Sequence, residues 1–163
     1  GTSIPLVTDN VAWSNLSTPG YTWYNNSSSD YGALYNWYTV SNGIKNVCPT
    51  GWHIPTDDEW GNLVSFLGGS DNAMGKMKQS GLANWTMPNT AATNDSGFAG
   101  LPGGNRWVDG SFQLIGNLGN WWSSTAPNAT DAWSRYLSHD NSYPLYSAQS
   151  GKKIGNSIRC LKD

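Results

Sequence analysis

The segment Cys48–Trp60 constrains the fold of this chain more than any other part of the sequence. It carries a cysteine, a Pro-Thr-Gly turn and Thr56, which can cap a helix that begins at Asp57. Glu59 follows Thr56 by three residues and completes a capping box. We therefore predict a helix from Asp57 to Leu67 and assign its acidic first turn to capping rather than to acid–base chemistry. Gly68-Gly69 ends the helix, and its apolar face consists of Trp60, Leu63, Val64 and Leu67.

The rest of the chain predicts short elements between long loops. Leu34, Trp37 and Tyr38 lie at helical spacing and indicate a short helix within residues 30–41. Elsewhere, short alternating apolar runs are broken by Gly, Pro and Asn, a pattern typical of strands. No internal repeat or linker divides the chain, so residues 1–163 are predicted to form one domain. The predicted strands are Ile4–Val7, Gly20–Tyr24, Gly97–Pro102, Gly110–Ile115, Trp121–Ser124, Ala132–Leu137 and Ser157–Leu161.

Composition excludes several classes of function. Charged residues make up 12% of the chain, about half of their usual share. The net charge is -2 and no basic block occurs, which argues against nucleic acid and anionic membrane surfaces as partners. The chain has no apolar run of about 18 residues, so we predict no membrane insertion. An aromatic content of 13% argues against disorder, and the uncharged polar composition suits an extracellular setting.

The two cysteines, Cys48 and Cys160, lie far apart and form no CxxC pair, which excludes a metal site of the zinc-finger type. A catalytic thiol would need a paired histidine, and none is evident. Two structural alternatives remain, a long-range disulfide, which we favour, and two buried thiols. A disulfide would stabilise the fold by about 4–5 kcal/mol in the chain-entropy model and would imply an oxidising compartment.

Motifs that carry catalysis are missing from the sequence. It has no Walker loop, dinucleotide fingerprint, HExxH or GxSxG motif. His53 and His139 are its only histidines, and we interpret His53 as a packed, hydrogen-bonded residue. A glycosidase needs two facing carboxylates; Glu59 is the only glutamate, and nothing in the sequence brings two aspartates together. We therefore predict that the protein is not an enzyme and needs no metal or other cofactor.

A set of segments spanning about residues 9–163 is specific when taken jointly: Tyr31–Val40, Cys48–Trp60, Lys76–Lys78, Asn94–Phe98, Leu101–Gly104, Gly119–Thr125 and Ser157–Cys160. In these segments the chain resembles the Fibrobacter succinogenes major paralogous domain. The resemblance implies a bacterial surface or secreted protein of α+β class with a C-type-lectin-like fold. That fold has two helices, a small twisted antiparallel sheet and extensive irregular loops. The calcium-binding motifs of lectins are missing, and neither cysteine matches the formylglycine-generating enzymes, so neither activity is carried over.

The same resemblance implies a binding surface in the C-terminal portion, where related lectin-fold proteins are diversified by retroelements. Its implied framework is Trp121, Trp122, Trp133, Leu137, Ile158 and Cys160. The mix of residue types between the framework positions fits the palette that adenine-directed mutagenesis of Asn codons chiefly yields. The candidate ligand-binding residues are Asn105, Trp107, Val108, Asp109, Leu114, Leu118, Asn120, Ser134, Tyr136, Ser138, His139, Asp140, Tyr143, Leu145, Tyr146, Ala148, Gln149 and Asn156, and with them Asn117 and Ser150.

Aromatic residues in this set are the predicted anchors: Trp107, Tyr136, Tyr143 and Tyr146. Tyr and Trp supply large contact areas at low conformational-entropy cost, while Ser and Asn adapt their hydrogen bonds. We therefore predict an extracellular or bacterial cell-surface recognition or adhesion domain for a macromolecular ligand, protein in preference to glycan. Two alternatives remain, a calcium-independent carbohydrate-binding module and a structural module of a surface assembly such as a pilus tip.

Overall fold

The computed structural model describes residues 3–40, 47–141, 145 and 148–163. Its α-helices are α1 Asn10–Ser14, α2 Asp57–Phe66 and α3 Ser70–Met77. Its strands, β1 to β9 in chain order, are Tyr21–Trp23, Ala33–Tyr35, Trp52–His53, Gly103–Arg106, Phe112–Ile115, Leu118–Trp122, Asp131–Ser138, Ala148–Gly151 and Leu161–Lys162. This mixture of separate helices and mainly antiparallel strands confirms the α+β class.

Helix α2 confirms the prediction made from the capping box. Oγ1 of Thr56 accepts a hydrogen bond from the backbone N of Glu59 at 3.2 Å. Oε2 of Glu59 accepts one from the backbone N of Thr56 at 2.8 Å. Both halves of the box are therefore formed. The buried Arg135 on β7 donates to Oδ1 of Asp57 at 2.6 Å, which ties the start of this helix to that strand.

The predicted helix within residues 30–41 is wrong. Ala33–Tyr35 forms β2, which pairs antiparallel with β1, and Trp37–Thr39 forms only a 3₁₀ turn. Asn36 between them is fully buried with an extended backbone. Its side chain accepts from the backbone N of Gly20 and donates to the carbonyl of Thr18. These tertiary hydrogen bonds hold the backbone out of the helical conformation despite the apolar spacing.

Other sequence predictions need correction as well. Ile4–Val7 forms only a single bridge, from Leu6 to Tyr21, and Gly97–Pro102 only one, from Gly100 to Lys78. Of Ser157–Leu161, only the last residue belongs to a strand, β9. Four predicted strands are confirmed where they overlap observed ones. These are Gly20–Tyr24 with β1, Gly110–Ile115 with β5, Trp121–Ser124 with β6 and Ala132–Leu137 with β7.

Helix α3 adds a third helix to the two that the family resemblance implies. Its N-cap is Gly69, which offers no side-chain hydrogen bond, so the sequence carries no capping signal for it. Tertiary packing holds it instead: Ala73, Met74 and Met77 are buried. Gly75 passes so close to the chain that a Cβ there would lie 2.2 Å from the carbonyl oxygen of Ala91.

The main sheet has five strands in the order β5-β4-β6-β7-β8. All neighbours are antiparallel except β4 and β6, which are parallel. One core cluster packs α2 and α3 against this sheet: Trp60, Leu67, Ala73, Met74, Met77, Trp85, Trp121, Leu137 and Leu145. A second comprises Trp37, Trp122, Ala132 and Ile154. Of the implied framework residues, Trp121, Trp122 and Leu137 are thus buried in the core, whereas Trp133, Ile158 and Cys160 are half-buried.

A disulfide joins Cys48 to Cys160 across 112 residues of sequence, which confirms the bonded alternative over two buried thiols. It links the segment before β3 to the segment before β9, and these two strands pair antiparallel through Trp52 and Lys162. The C-terminal end of the chain is thereby fixed beside α2. Among the helices of the described residues, none has the length and apolarity to cross a membrane.

Candidate functional site

A cavity of about 420 Å³ lies on the main sheet, within the size range of small ligand sites. Strands β4, β6, β7 and β8 and the segment after β8 contribute to its lining, and β5 and the turn before it carry its exposed rim. The lining residues are Asn105, Trp107, Val108, Leu114, Leu118, Asn120, Tyr136, Ser150, Gly151, Ile154 and Asn156. Parts of both stretches of candidate residues identified in the sequence, 105–120 and 134–156, therefore meet at one place.

Strand pairing explains why these two stretches converge. Asn120 on β6 lies directly opposite Tyr136 on β7, and paired residues of neighbouring strands share a face of the sheet. The parallel pairing of Gly104 with Gly119 brings Asn105 beside the same face. The predicted residues that line the cavity are Asn105, Trp107, Val108, Leu114, Leu118, Asn120, Tyr136, Ser150 and Asn156.

Other candidate residues lie near the cavity without lining it. Ser134 is buried, and its Oγ lies 2.8 Å from Oγ of Ser150, a lining residue. Asp109 is exposed in the turn at the rim. Ala148 and Gln149 belong to β8. Tyr143 and Tyr146, two of the predicted anchors, lie outside the described residues.

A third group of candidates lies elsewhere in the molecule. Leu145 is 3% exposed and belongs to the core cluster around α2 and α3, so it is a packing residue. His139 follows the end of β7, where its Nδ1 is 3.0 Å from the carbonyl oxygen of Met87. Ser138 is buried and donates to Oδ1 of the neighbouring Asp140. The structure does not bring these four residues to the cavity.

A rigid turn presents the rim residues Trp107 and Val108, which are 41% and 38% exposed. The backbone N of Trp107 donates to the carbonyl of Ser111 at 2.7 Å. Oδ1 of Asp109 accepts from Oγ and N of Ser111, and these hydrogen bonds hold the pKa of Asp109 below its usual value. Gly110 has φ of 89°, and a Cβ there would lie 2.6 Å from Cα of Asn10, so only glycine fits.

Arg106 supports this turn from below, and sequence reasoning missed it. It is fully buried, and its Nε donates to the carbonyl of Gly110 at 2.9 Å. Its other nitrogens donate to the carbonyls of Val7 and Thr8 and to Oδ1 of Asn10.

The guanidinium of Arg106 also stacks on the rings of Trp13 and Phe112, at 4.6 and 4.8 Å from their centroids. Burial lowers its pKa, and nearby Asp9 opposes that shift. The sequence offered one signal of this role, which is that Arg106 is a single charged residue within an otherwise uncharged stretch.

The backbone is strained at the opposite side of the rim. Leu114 has φ of 65°, a conformation that costs a non-glycine residue about 1–2 kcal/mol. It opens a tight turn in which the N of Asn117 donates to the carbonyl of Leu114 at 3.0 Å and Gly116 has φ of 79°. Leu114 remains 42% exposed. Strain of this kind tends to be kept where it serves a site.

The floor of the cavity consists of three buried asparagines, Asn105, Asn120 and Asn156. Nδ2 of Asn120 donates to the carbonyl of Gly104 at 3.2 Å. The backbone N and O of Asn156 pair with Tyr35. No charged residue occurs among the described residues that line the cavity. Its chemistry is therefore that of a neutral binding site with apolar walls and amide hydrogen-bonding groups.

Two further cavities, of about 330 and 220 Å³, contain none of the candidate ligand-binding residues. Beside the smaller one, Nδ1 of His53 lies 2.6 Å from Oδ1 of Asp163, and Nε2 lies 2.9 Å from Oε1 of Glu59. These bonds, first with Asp163 and then with Glu59, raise the pKa of His53. The interpretation of His53 as hydrogen-bonded is confirmed. Within the described ranges, no cluster of His, Cys, Asp and Glu has the arrangement of a metal site.

Comparison with known proteins supports the resemblance seen in the sequence. A family model described as the Fibrobacter succinogenes major domain matches residues 1–162. No curated protein matches the chain, and no solved structure does either. The match extends over the whole of the candidate site, so every residue that lines the cavity lies within the family's domain.

Proposed function

The chain belongs to the Fibrobacter succinogenes major domain family, and we propose that it is a non-enzymatic recognition or adhesion domain that binds a macromolecular ligand. One observation carries this proposal. Two stretches of mixed Asn, Ser, Tyr, Trp and aliphatic residues, far apart in sequence, supply the lining of one cavity. Its rim residues Trp107 and Leu114 are exposed on turns whose conformations are fixed. Exposed aromatics on a rigid frame are typical of binding surfaces.

We propose a C-type-lectin-like arrangement as the frame for this surface. A small sheet, two core helices packed against it, and long loops such as the one between α3 and β4 are consistent with it. The disulfide from Cys48 to Cys160 draws the segment before the last strand toward α2. A disulfide also suits an oxidising environment, so we place the protein outside the cell or on its surface.

Protein ligands are favoured over glycans by the chemistry of the cavity. Its exposed rim is aliphatic and aromatic, with Trp107, Val108 and Leu114 each more than a third exposed. We propose no calcium in binding, since the described lining residues include no carboxylate that could ligate it. The mixed residue types at these positions further suggest a surface of the kind that retroelements diversify.

Sequencing of the coding locus across a population of the source organism tests this proposal. We expect variation in the codons of the cavity-lining residues, at positions where other members of the population carry adenine. The matched control is the codons of exposed asparagines outside the two candidate stretches, Asn15, Asn25, Asn72 and Asn128, which also contain adenines and should stay constant. Codons that are identical across the population at the cavity would overturn diversification. A fixed sugar-binding module and a structural module would then be supported as well as protein recognition is.

A calcium-independent carbohydrate-binding module is the second candidate, favoured by the exposed indole of Trp107 beside the cavity. Its test is a glycan array read with and without EDTA. Trp107→Ala is compared with Trp52→Ala, since these two indoles are 41% and 40% exposed but only Trp107 lines the cavity. Glycan binding that resists EDTA and disappears only in the Trp107 variant would establish this alternative.

A further inference from the structure

One polar group in the cavity is left without a hydrogen-bond partner. Asn105 lines the cavity at 8% exposure, and its Oδ1 makes no hydrogen bond with any described residue. Of the buried side-chain atoms that share this property, it alone belongs to the cavity's lining. Buried polar groups in native proteins are nearly always satisfied, so each exception needs an explanation. A ligand that enters the cavity is the explanation that the position of Asn105 supports.

The unpartnered atom is an acceptor, so the ligand must bring a donor. Oδ1 is fully buried in the structure, and because the χ2 torsion of asparagine is broad, a rotation about χ2 with χ1 unchanged turns this oxygen toward a ligand in the cavity. In the neighbouring Asn120 the amide nitrogen is already engaged, since it donates to the carbonyl of Gly104. Among the buried side-chain acceptors of the described lining residues, Oδ1 of Asn105 is the one without a partner, and one donor group satisfies it.

The walls define the rest of the ligand. Trp107, Val108 and Leu114 form an exposed apolar rim, which favours an aromatic or aliphatic body. The described lining residues carry no charge, and an unpaired charge is costly to bury. The donor is consequently a neutral group at the tip of an apolar body. A sugar ring carries several hydroxyl groups, each of which would need a partner.

We propose that this cavity takes a tyrosine side chain from a protein partner, with its ring between Trp107 and Leu114 and its hydroxyl donating to Oδ1 of Asn105. This inference rests on the proposed function and specifies the chemistry of its ligand. The phenol has the required form, since its donor lies at the far end of the ring. In an indole, by contrast, the N–H lies on the side of the ring.

The test uses small probes and the full chain. The probe p-cresol is the side chain of tyrosine, whereas 4-methylanisole has the same ring but cannot donate a hydrogen bond. Two-dimensional NMR follows the side-chain amide of Asn105 and the indole N–H of Trp107. We expect p-cresol to shift both signals and to bind about tenfold more tightly than 4-methylanisole, the factor that one net hydrogen bond supplies.

A variant pair tests the role of the acceptor. Asn105→Leu keeps the approximate shape of the side chain and removes its oxygen, so the preference for p-cresol should disappear while 4-methylanisole still binds. Asn84→Leu is the control, because Asn84 lies outside the cavity and its amide bonds to Gln79; this variant should keep the tenfold preference. The comparison of the two probes on the unaltered protein remains decisive if Asn105→Leu fails to fold.

Each contrary outcome has a distinct meaning. Equal binding of p-cresol and 4-methylanisole at the cavity would overturn the tyrosine inference and leave the proposed recognition function standing. Shifts of the same two signals by methyl β-glucoside, with p-cresol silent, would overturn the inference in favour of the carbohydrate alternative. If no probe perturbed Asn105 or Trp107, both the inference and the assignment of this cavity as a ligand site would fall.

Discussion

At the scale of single residues, buried cations hold the irregular parts of this chain together. Nζ of Lys78 donates to the carbonyls of Thr90 and Ser138 and to Oδ1 of Asn141. Nζ of Lys152 donates to the carbonyls of Asn128 and Ala129. Loops lack the ladder partners that strands provide, so their buried carbonyls must find donors elsewhere. In a chain with few charges, several cations serve this internal purpose.

Arg106 is the clearest case and gives a first prediction. Arg106→Met would leave the carbonyls of Val7, Thr8 and Gly110 without this donor. The carbonyl of Gly110 is bonded in a buried setting and those of Val7 and Thr8 in partly buried ones. Because an unsatisfied buried group costs about 1–3 kcal/mol, we expect a loss of about 3–5 kcal/mol in the free energy of unfolding, measured by urea denaturation. Arg159→Met is the control, since among the described residues Arg159 makes one hydrogen bond, to the carbonyl of Phe98, and stacks on the Phe98 ring. Equal losses of unfolding free energy in the two variants would contradict the role of Arg106 as a donor to several backbone carbonyls.

Lys78 gives a prediction about alkaline pH. Burial lowers its pKa to about 8 from the ordinary 10.5, a shift that Asp140 opposes. Between these two values the unfolded chain holds a proton that the folded protein has lost, so the contribution of Lys78 to stability rises with pH across this window. The rise is about 3 kcal/mol at most. We expect the difference in unfolding free energy between the unaltered protein and Lys78→Met to grow in favour of the unaltered protein from pH 8 to 10.5. A difference that stays constant would refute the shift.

At the scale of elements, the sequence predictions depend on how far apart in sequence the residues that stabilise each element lie. Helix α2 is specified within a few residues, because Thr56 and Glu59 bond to each other's backbone. The segment around Asn36 is decided by partners sixteen or more residues away, so local spacing there predicts the wrong element. Helix α3 has no cap to reveal it. The strands overlapping β1, β5, β6 and β7 were found from their alternating residue types, but helices and turns were predicted correctly only where their stabilising bonds are local.

The junction of β3, α2 and β9 supplies a third prediction. Asp163 and Glu59 raise the pKa of His53 above 6.5, so its protonated form ties the C-terminal end to the start of α2. This stability is fully present below pH 6.5 and is lost as the pH rises through the raised pKa of the folded protein. We expect unfolding experiments from pH 5 to 9 to show this loss in the unaltered protein and not in His53→Gln. Asp163→Asn should shift the pH midpoint of this stability loss toward 6.5. A difference in unfolding free energy between His53→Gln and the unaltered protein that does not change with pH would contradict the prediction.

At the scale of the whole molecule, three supports of the fold share no residue with its candidate site. The disulfide, the salt bridge of Arg135 with Asp57 and the larger core cluster lie on the side of α2 and α3. The cavity lies on the sheet at β4 to β8 and the loops beside it, where Arg106 and Ile154 provide separate support. A surface built on side chains of strands and turns can change its residues while the distant core maintains the fold.

The disulfide gives the prediction at this scale. Replacement of Cys48 and Cys160 together by Ala should lower the free energy of unfolding by about 4–5 kcal/mol, because the bond closes a loop of more than a hundred residues in the unfolded chain. Urea denaturation measures the loss. The NMR signals of Trp107 and Asn105 should be unchanged, since neither cysteine and no residue of α2 contributes to the lining of the cavity. A loss under about 1 kcal/mol, or displaced cavity signals, would contradict this division.

The sequence by itself determined the helix that begins at Asp57, the segments that identify the family, and the two stretches that supply the cavity. These features rest on neighbours a few residues apart, or on residue types read directly. Only the tertiary structure decided that Asn105, Trp107 and Tyr136 share one cavity while Leu145 and His139 do not. It also revealed the role of Arg106. The physical reason is that strand pairing and buried hydrogen bonds join residues tens of positions apart, and no local pattern records such partners.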